Sequence, residues 1–307
     1  MNQEDYQKTK DSFSEYLKSK EFTNKSIQTR MTVFNQYLLW ADQENLEPEQ
    51  ITYNDLLLYL KYCQGQGLQQ RTIKSHIALI KHYYNYLIRE RIITLNPTTD
   101  INVKGARRKV LYHIMEPHEL HQLYHEFPCN SLAEKRNRIM LGLFVYQGLR
   151  TEEVGRLEVQ HIKLREGKID VLGGRNSNER LIQLESYQVM DMHDYILQVR
   201  PELMKMEPKR RNQQKQETDL LFIGQGGQRY SINNFITQTM ISARSINPDL
   251  LNAKHIRASV ITKWLKLYNL REVQYLAGHR YISSTESYLQ NDLEELKEEV
   301  QQYHPLG

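Results

Sequence analysis

Cysteine is nearly absent: the 307-residue chain has two, Cys63 and Cys129. Two thiols make neither a disulfide framework nor a four-thiolate zinc site, and free thiols fit a reducing cytoplasm. Long apolar runs are missing too. The longest, around Ile139–Leu149, falls well short of the ~20 residues that a membrane-spanning helix needs. The opening MNQEDYQKTK is polar and charged and carries no secretory signal. Repeats and low-complexity tracts are lacking. Nor is there a strong excess of one charge, with 41 Lys and Arg against 37 Asp and Glu, a net of +4. So mild a balance permits nucleic-acid binding only where positive charge is clustered, and by itself it describes a solvated surface. What remains is an ordinary globular composition, 39% hydrophobic and 25% charged. The length suits about two domains of ~100–200 residues each.

The first hundred residues read as helix after helix. Across Ser26–Asn45, Met31, Phe34, Tyr37, Leu38 and Ala41 recur at helical spacing. Thr52 and Asp55 form a capping-box pattern ahead of the apolar run Leu56–Leu60, and Gly65 and Gly67 stop that helix. From Thr72 to about Arg91, Ile73, Ile77, Ile80, Tyr84 and Leu87 share one face. Asn96–Pro97 then breaks the chain. A short basic segment follows, with Lys104, Arg107, Arg108 and Lys109, and reads as an interdomain linker over 104–112. It suits a phosphate backbone, though any exposed linker tends to be charged.

Beyond the linker the pattern changes. Helices around Glu116–Phe127 and Leu132–Gln147 precede three short apolar alternations, Ile162–Leu164, Ile169–Leu172 and Arg180–Leu184. These predict a small antiparallel sheet inside a helical domain. Further helices are expected near Tyr187–Val199, Ile232–Ala243, Arg257–Leu267 and Arg271–Leu276. The polar stretch Lys205–Glu217 reads as a mobile loop, and an acidic helix, Asp292–Gln301, as the end. His118, His121 and His125 fall at i, i+3 and i+7 of one helix, which could present three imidazoles to a metal. No acidic or cysteine ligand completes a metal pattern and the HExxH order is absent, so a solvated helix face is the better account.

Four separated segments read better together. They are Gly148-Leu149-Arg150 with Glu153; the hairpin tip from Gly174 and Arg175 to Arg180; Lys254-His255-Ile256-Arg257; and Leu276-Ala277-Gly278-His279 followed by Ser283, Ser284, Thr285 and Tyr288. In this order they resemble the motifs of the tyrosine recombinase (phage-integrase-like) family, in its simple two-domain Xer-like form. That family has an arginine in a GLRxxE segment, a lysine on a β-hairpin and an HxxR pair opening a helix. Its nucleophilic tyrosine follows the histidine of an LGH turn by nine residues. His279 and Tyr288 keep that spacing, and Arg150, Glu153 and Arg257 keep their places. With 20 tyrosines in the chain, Tyr288 is singled out only by this context.

The resemblance implies a mainly α fold: a SAM-like helical core-DNA-binding domain over 1–103, and a mixed α/β catalytic domain over 113–307 with a small antiparallel sheet. It implies a recombinase that cuts DNA through a 3′-phosphotyrosyl bond, leaves a free 5′-hydroxyl and passes through a Holliday junction, with neither metal nor other cofactor. Arg150 and Arg257 are expected to hold the non-bridging phosphate oxygens with paired hydrogen bonds. His279 is expected to add a third bond or help take the phenol proton, and Tyr288 to attack phosphorus. The family form further implies a C-shaped clamp on duplex DNA, with linker basic residues on phosphates. Four protomers join two sites, and the C-terminal segment of one docks on its neighbour. The expected setting is bacterial cytoplasm, at the nucleoid. The lack of a further N-terminal arm-binding domain favours a simple recombinase, and a mobile element fits better than a housekeeping enzyme.

Two positions depart from the family pattern. Arg175 occupies the hairpin position of a lysine held to protonate the leaving 5′-oxygen, and arginine, with a pKa above ~12, is a poor proton donor. Lys254 stands where the HxxR histidine is usual, as it does in type IB topoisomerases. His255 lies two residues from Arg257 and so off its helix face, whereas Lys254 lies three away and shares it. The general-acid role is therefore expected at Lys254, with Arg175 giving charge only. The competing functions are a topoisomerase-like nicking and resealing enzyme and a DNA-binding relative that does not cut.

Overall fold

The computed structural model describes residues 3–104, 114–175, 177–208, 214–228 and 232–289. The chain divides into two compact units, 1–109 and 110–307.

Four helices make the first unit: α1 (Gln3–Ser19), α2 (Asn24–Gln43), α3 (Tyr53–Gly65) and α4 (Gln70–Arg89). Their starts are written locally. Thr23 accepts from the Ser26 amide at the head of α2. At α3 the Thr52 hydroxyl accepts from the Asp55 amide while the Asp55 carboxylate accepts from the Thr52 amide at 2.8 Å. All five residues read as one face of α4 are buried, and they close on Phe13, Phe34 and Tyr37 in a core rich in aromatic rings. One polar chain threads it: the Tyr37 and Tyr84 hydroxyls lie 2.6 Å apart, and Tyr84 donates to the Pro48 carbonyl at 3.0 Å.

The second unit is built around α6 (Leu132–Val145), buried from Arg136 onward apart from Arg138, with α5 (Pro117–His125) against it. A short α7 (Thr151–Val154) leads to the sheet of β1 (Ile162–Lys163), β2 (Lys168–Val171) and β3 (Arg180–Gln183), antiparallel in that order. Gly167, at φ 61°, makes the left-handed turn between β1 and β2. Then come α8 (Ser186–Asp194), α9 (Arg200–Lys205), α10 (Ile232–Ile246), α11 (Ala253–Leu267) and α12 (Leu270–Leu276).

Two boundaries differ from the sequence reading. The helix expected to stop at Val199 runs on to Lys205 through a widened π turn at Tyr195–Val199. The ring of Pro201 would crowd the carbonyl four residues back in a regular helix, and the wider turn makes room for it. And α11 starts four residues before Arg257, because the Asn252 side chain caps the Lys254 and His255 amides. The basic residues Arg107, Arg108 and Lys109 and the C-terminal stretch Asp292–Gln301 lie outside the described residues; Lys104 is an exposed turn residue.

Candidate active site

Arg257 sits one turn into α11, a helix buried on every side from His255 to Thr262, and is itself only 6% exposed. A buried guanidinium must find acceptors. It donates through Nη1 to the Gly148 carbonyl and through Nη2 to the Ala277 carbonyl at 2.7 Å, and Nη2 also lies 3.2 Å from Nε2 of His279. Both carbonyls belong to glycine-marked turns: Gly148 has φ 56° just before Arg150, and Gly278 has φ 61° just before His279. The tight turns thus aim backbone oxygens at Arg257 and deliver Arg150 and His279 beside it.

His279 is 3% exposed, and its Nδ1 lies 2.9 Å from Oγ1 of the fully buried Thr285. The ring of Tyr288, half-buried, lies nearly parallel to the imidazole, with centroids 5.9 Å apart and an interplanar angle of 15°. Residues 283–289 are helical, so Thr285 and Tyr288, three apart, face the same way.

Beneath this pair lies a contact that the sequence reading passed over. Arg180, on β3, and Glu153, in α7, form a bidentate ion pair at 3.0 and 2.9 Å with both side chains sealed from water. Arg180 also donates to the Leu276 carbonyl at 2.8 Å, and Glu153 accepts from the Arg150 amide at 2.8 Å. One ion pair therefore links the sheet, the Arg150 turn and the end of α12. Gly278 is where Arg180 passes: a Cβ there would lie 2.7 Å from the guanidinium carbon. The β2–β3 tip is closed by mutual bonds between Gly174 and Ser177, and Ser177 pairs as a β-bridge with His279. Asn178 N–H donates to the Gly278 carbonyl at 3.1 Å. The Tyr275 hydroxyl meets the backbone of Leu181 on the open edge of β3.

Electrostatics point the same way. Burial first, then the positive charge of Arg257, Arg150 and Arg180, pushes His279 down to about 3. Burial and the charge of Arg150 push Arg257 down to about 10, still cationic at neutral pH, and Tyr288 is among the groups facing it. Burial would raise Glu153, but its bonds to Arg180 outweigh this and hold it below the ordinary carboxylate range. Among the described residues, the guanidiniums of Arg150, Arg180 and Arg257 and the carboxylate of Glu153 thus surround His279.

Of the residues singled out from sequence, Arg150, Arg257, His279 and Tyr288 converge here. Lys254 is exposed in the first turn of α11. Arg175 is exposed at the hairpin tip, where its carbonyl accepts from Arg280 at 3.3 Å. His255 turns inward, 1% exposed. No group of three or more potential metal ligands occurs among the described residues. On α5, the His121 and His125 rings lie 4.0 Å apart, and His121 meets the Tyr146 hydroxyl at 3.0 Å. No helix among the described residues is long and apolar enough to cross a membrane.

Comparison with known proteins gives the arrangement its context. Residues 113–295 match the model of the phage integrase family, and residues 11–91 match that of its N-terminal SAM-like domain. The chain is 30% identical over 290 residues to tyrosine recombinase XerD of Oceanobacillus iheyensis, covering 92% of each. It is 24% identical over 302 residues to tyrosine recombinase XerC of Anoxybacillus flavithermus, covering 95% of this chain and 96% of the relative. In fold it is similar to the Tn1549 transposon integrase in complex with transposon right end DNA, with a TM-score of 0.67 at 12% identity, over 94% of this chain and 98% of that one. The XerH site-specific recombinase bound to palindromic difH substrate gives a TM-score of 0.67 at 20% identity, over 89% and 78%.

Proposed function

The chain belongs to the phage integrase family and is a site-specific tyrosine recombinase, a DNA breaking and rejoining enzyme, and we propose that Tyr288 is its nucleophile. The observation that carries this is the contact of Arg257 with His279, with the Tyr288 ring alongside and Arg150 and Arg180 close by.

The Tyr288 hydroxyl attacks a backbone phosphorus, its proton passes to solvent, and a phosphotyrosyl bond forms as the bond to the 5′-oxygen breaks. The DNA end keeps its 3′-phosphate on the enzyme and the other end leaves as a 5′-hydroxyl. Arg150 and Arg257 grip the non-bridging oxygens, whose charge grows in the transition state. The 5′-hydroxyl of the partner strand reverses the step and yields a Holliday junction. Lys254 is the group that protonates the leaving 5′-oxygen, and Arg175 contributes charge alone. A 5′-bridging phosphorothiolate leaves without protonation, so this substrate rescues Lys254→Ala and not Arg175→Ala; the opposite pattern overturns the assignment.

The helical unit, over 1–103, binds the core of the DNA site; residues 104–112 cross between domains, with Lys104, Arg107, Arg108 and Lys109 on phosphates; and 113–307 is the catalytic domain. Duplex DNA with paired sites is the substrate, four protomers assemble on it, and the C-terminal helix docks on a neighbour. The setting is the bacterial cytoplasm at the nucleoid, in the service of a mobile element. A nicked suicide substrate traps a covalent protein–DNA adduct with the wild-type chain and none with Tyr288→Phe. An adduct in that variant, or none with wild type, overturns the reading.

A further inference from the structure

Arg180 and the Glu153 carboxylate opposite it are closed to solvent, with side chains 0% and 1% exposed. From β3 the guanidinium reaches α7, the end of α12 and the hairpin tip at once. Nη1 and Nη2 donate to the two Glu153 oxygens at 3.0 and 2.9 Å, Nε donates to the Leu276 carbonyl at 2.8 Å, and Nη1 also reaches the Asn178 carbonyl at 3.4 Å. A guanidinium is planar and holds its donors in a fixed fork, so acceptors on its two edges keep a set distance from each other. On one edge Glu153 passes the constraint on, because its Oε2 also accepts from the Arg150 amide at 2.8 Å. On the other, Leu276 lies three residues before His279, and Gly278 lies so close that a Cβ would press on the guanidinium. The Arg150 turn and the His279 turn thus take their separation from one buried group. Stability alone does not account for such a pair, since apolar side chains of similar volume often replace a buried ion pair without loss; the best-attested use of buried charge is to fix register.

We propose that Arg180 is a positioning residue of the cleavage reaction: its fork sets the spacing between the Arg150 and His279 turns, and so between the groups that meet the phosphate. The inference rests on the reading of Arg150 and His279 as site residues. Arg180 is not itself a catalytic residue, because its donors are turned to protein acceptors and its side chain is sealed from water. Its part in the reaction differs in kind from that of Arg150. Arg150 serves through the charge it brings to the phosphate, whereas Arg180 serves through its shape. Lysine at position 180 keeps the charge opposite Glu153 but has no planar fork, and one ammonium does not hold Glu153 and Leu276 in the same geometry.

Variants of the full-length protein test this. Arg180→Met alone strands the Glu153 charge and risks the fold, so two others carry the test: Arg180→Lys, and Arg180→Met paired with Glu153→Leu, which leaves no charge stranded. Cleavage is read at saturating protein on the nicked suicide substrate, affinity by titrating an uncut duplex, and stability from the urea midpoint. The paired variant is more stable than Arg180→Met and binds DNA within about twofold of wild type, because the phosphate contacts are untouched. It nevertheless cleaves about a hundredfold more slowly, as reacting groups displaced by ~1 Å do. Arg180→Lys also binds DNA normally, and its cleavage stays about tenfold or more below wild type. Cleavage that returns with stability in the paired variant leaves the ion pair only a structural role, and a lysine variant as fast as wild type shows that charge suffices; either result overturns the proposal. Failure of the site reading is separate: Arg150→Ala then cleaves like wild type, whereas if the present inference alone fails, Arg150→Ala is slow while the Arg180 variants are fast.

Discussion

His279 is a histidine that its surroundings keep neutral, and that has a cost in acid. Unfolded histidine titrates near ~6.5, whereas in the pocket it is pushed down to about 3. Between those values the unfolded chain binds a proton that the native chain does not, so stability is full above about 6.5 and is lost as pH falls toward 3. Glu153 has the same sign lower down: its stabilisation is present above the ordinary carboxylate pKa of ~4.3 and is lost as pH falls through its depressed native value. Urea unfolding at pH 7.5 and pH 5 therefore isolates the histidine. The wild-type chain loses more stability across that interval than His279→Gln, and equal losses would count against a buried neutral ring. Arg180 and Glu153 form a pair sealed from water on both sides. Removing one partner strands the other charge, so Arg180→Met costs about 3–5 kcal/mol, and adding Glu153→Leu recovers part of it. Denaturation midpoints of the two variants check this; a double variant no more stable than the single would contradict it.

At the scale of elements, the hairpin of β2 and β3 is docked, because its tip pairs with the turn that carries His279. Gly278 is the hinge of that docking. An alanine there faces a left-handed backbone, worth about 1–2 kcal/mol against an L-residue, and drives a methyl into Arg180. Gly278→Ala should lower the thermal midpoint and, because both hairpin and His279 shift, reduce cleavage more than DNA binding; unimpaired cleavage would show that the docking is dispensable. Elements of this kind divide by whether the sequence betrays them. The Thr52–Asp55 cap was legible because both partners lie within one turn. The motif order marked Arg150, Arg257, His279 and Tyr288 because spacing survives in a linear string. Arg180 was not legible: it looked like one more polar residue at a hairpin, and its partner Glu153 is 27 positions away. Thr285 sat in a run of three hydroxyl residues, and only the helix phase selects the one that meets His279. The start of α11 was the exception that could have been read, since Asn252 is a good cap.

For the molecule as a whole, a net charge of +4 is too small to hold DNA by bulk attraction, so affinity must come from placed cations. Each phosphate contact on a duplex adds about 0.9 to the slope of log affinity against log salt. Arg107→Ala and Arg108→Ala are each expected to lower that slope by about one with little change in sequence preference, measured by titrating a labelled duplex at several salt concentrations; an unchanged slope removes the linker from the contact surface. The composition said little about this, because clustering in space is invisible to a sum. The candidate site shows the opposite case, where charge is concentrated among buried side chains. Arg257, His279 and Thr285 are all buried. On the proposed mechanism a phosphotyrosyl bond keeps the energy of the bond it replaces, so what the enzyme takes from the broken strand it returns to whichever DNA hydroxyl arrives. Forward and backward exchange then run downhill equally little. Such a catalyst has no preferred direction of its own, and any one-way traffic must be imposed by the shape, tension or fate of the DNA it joins.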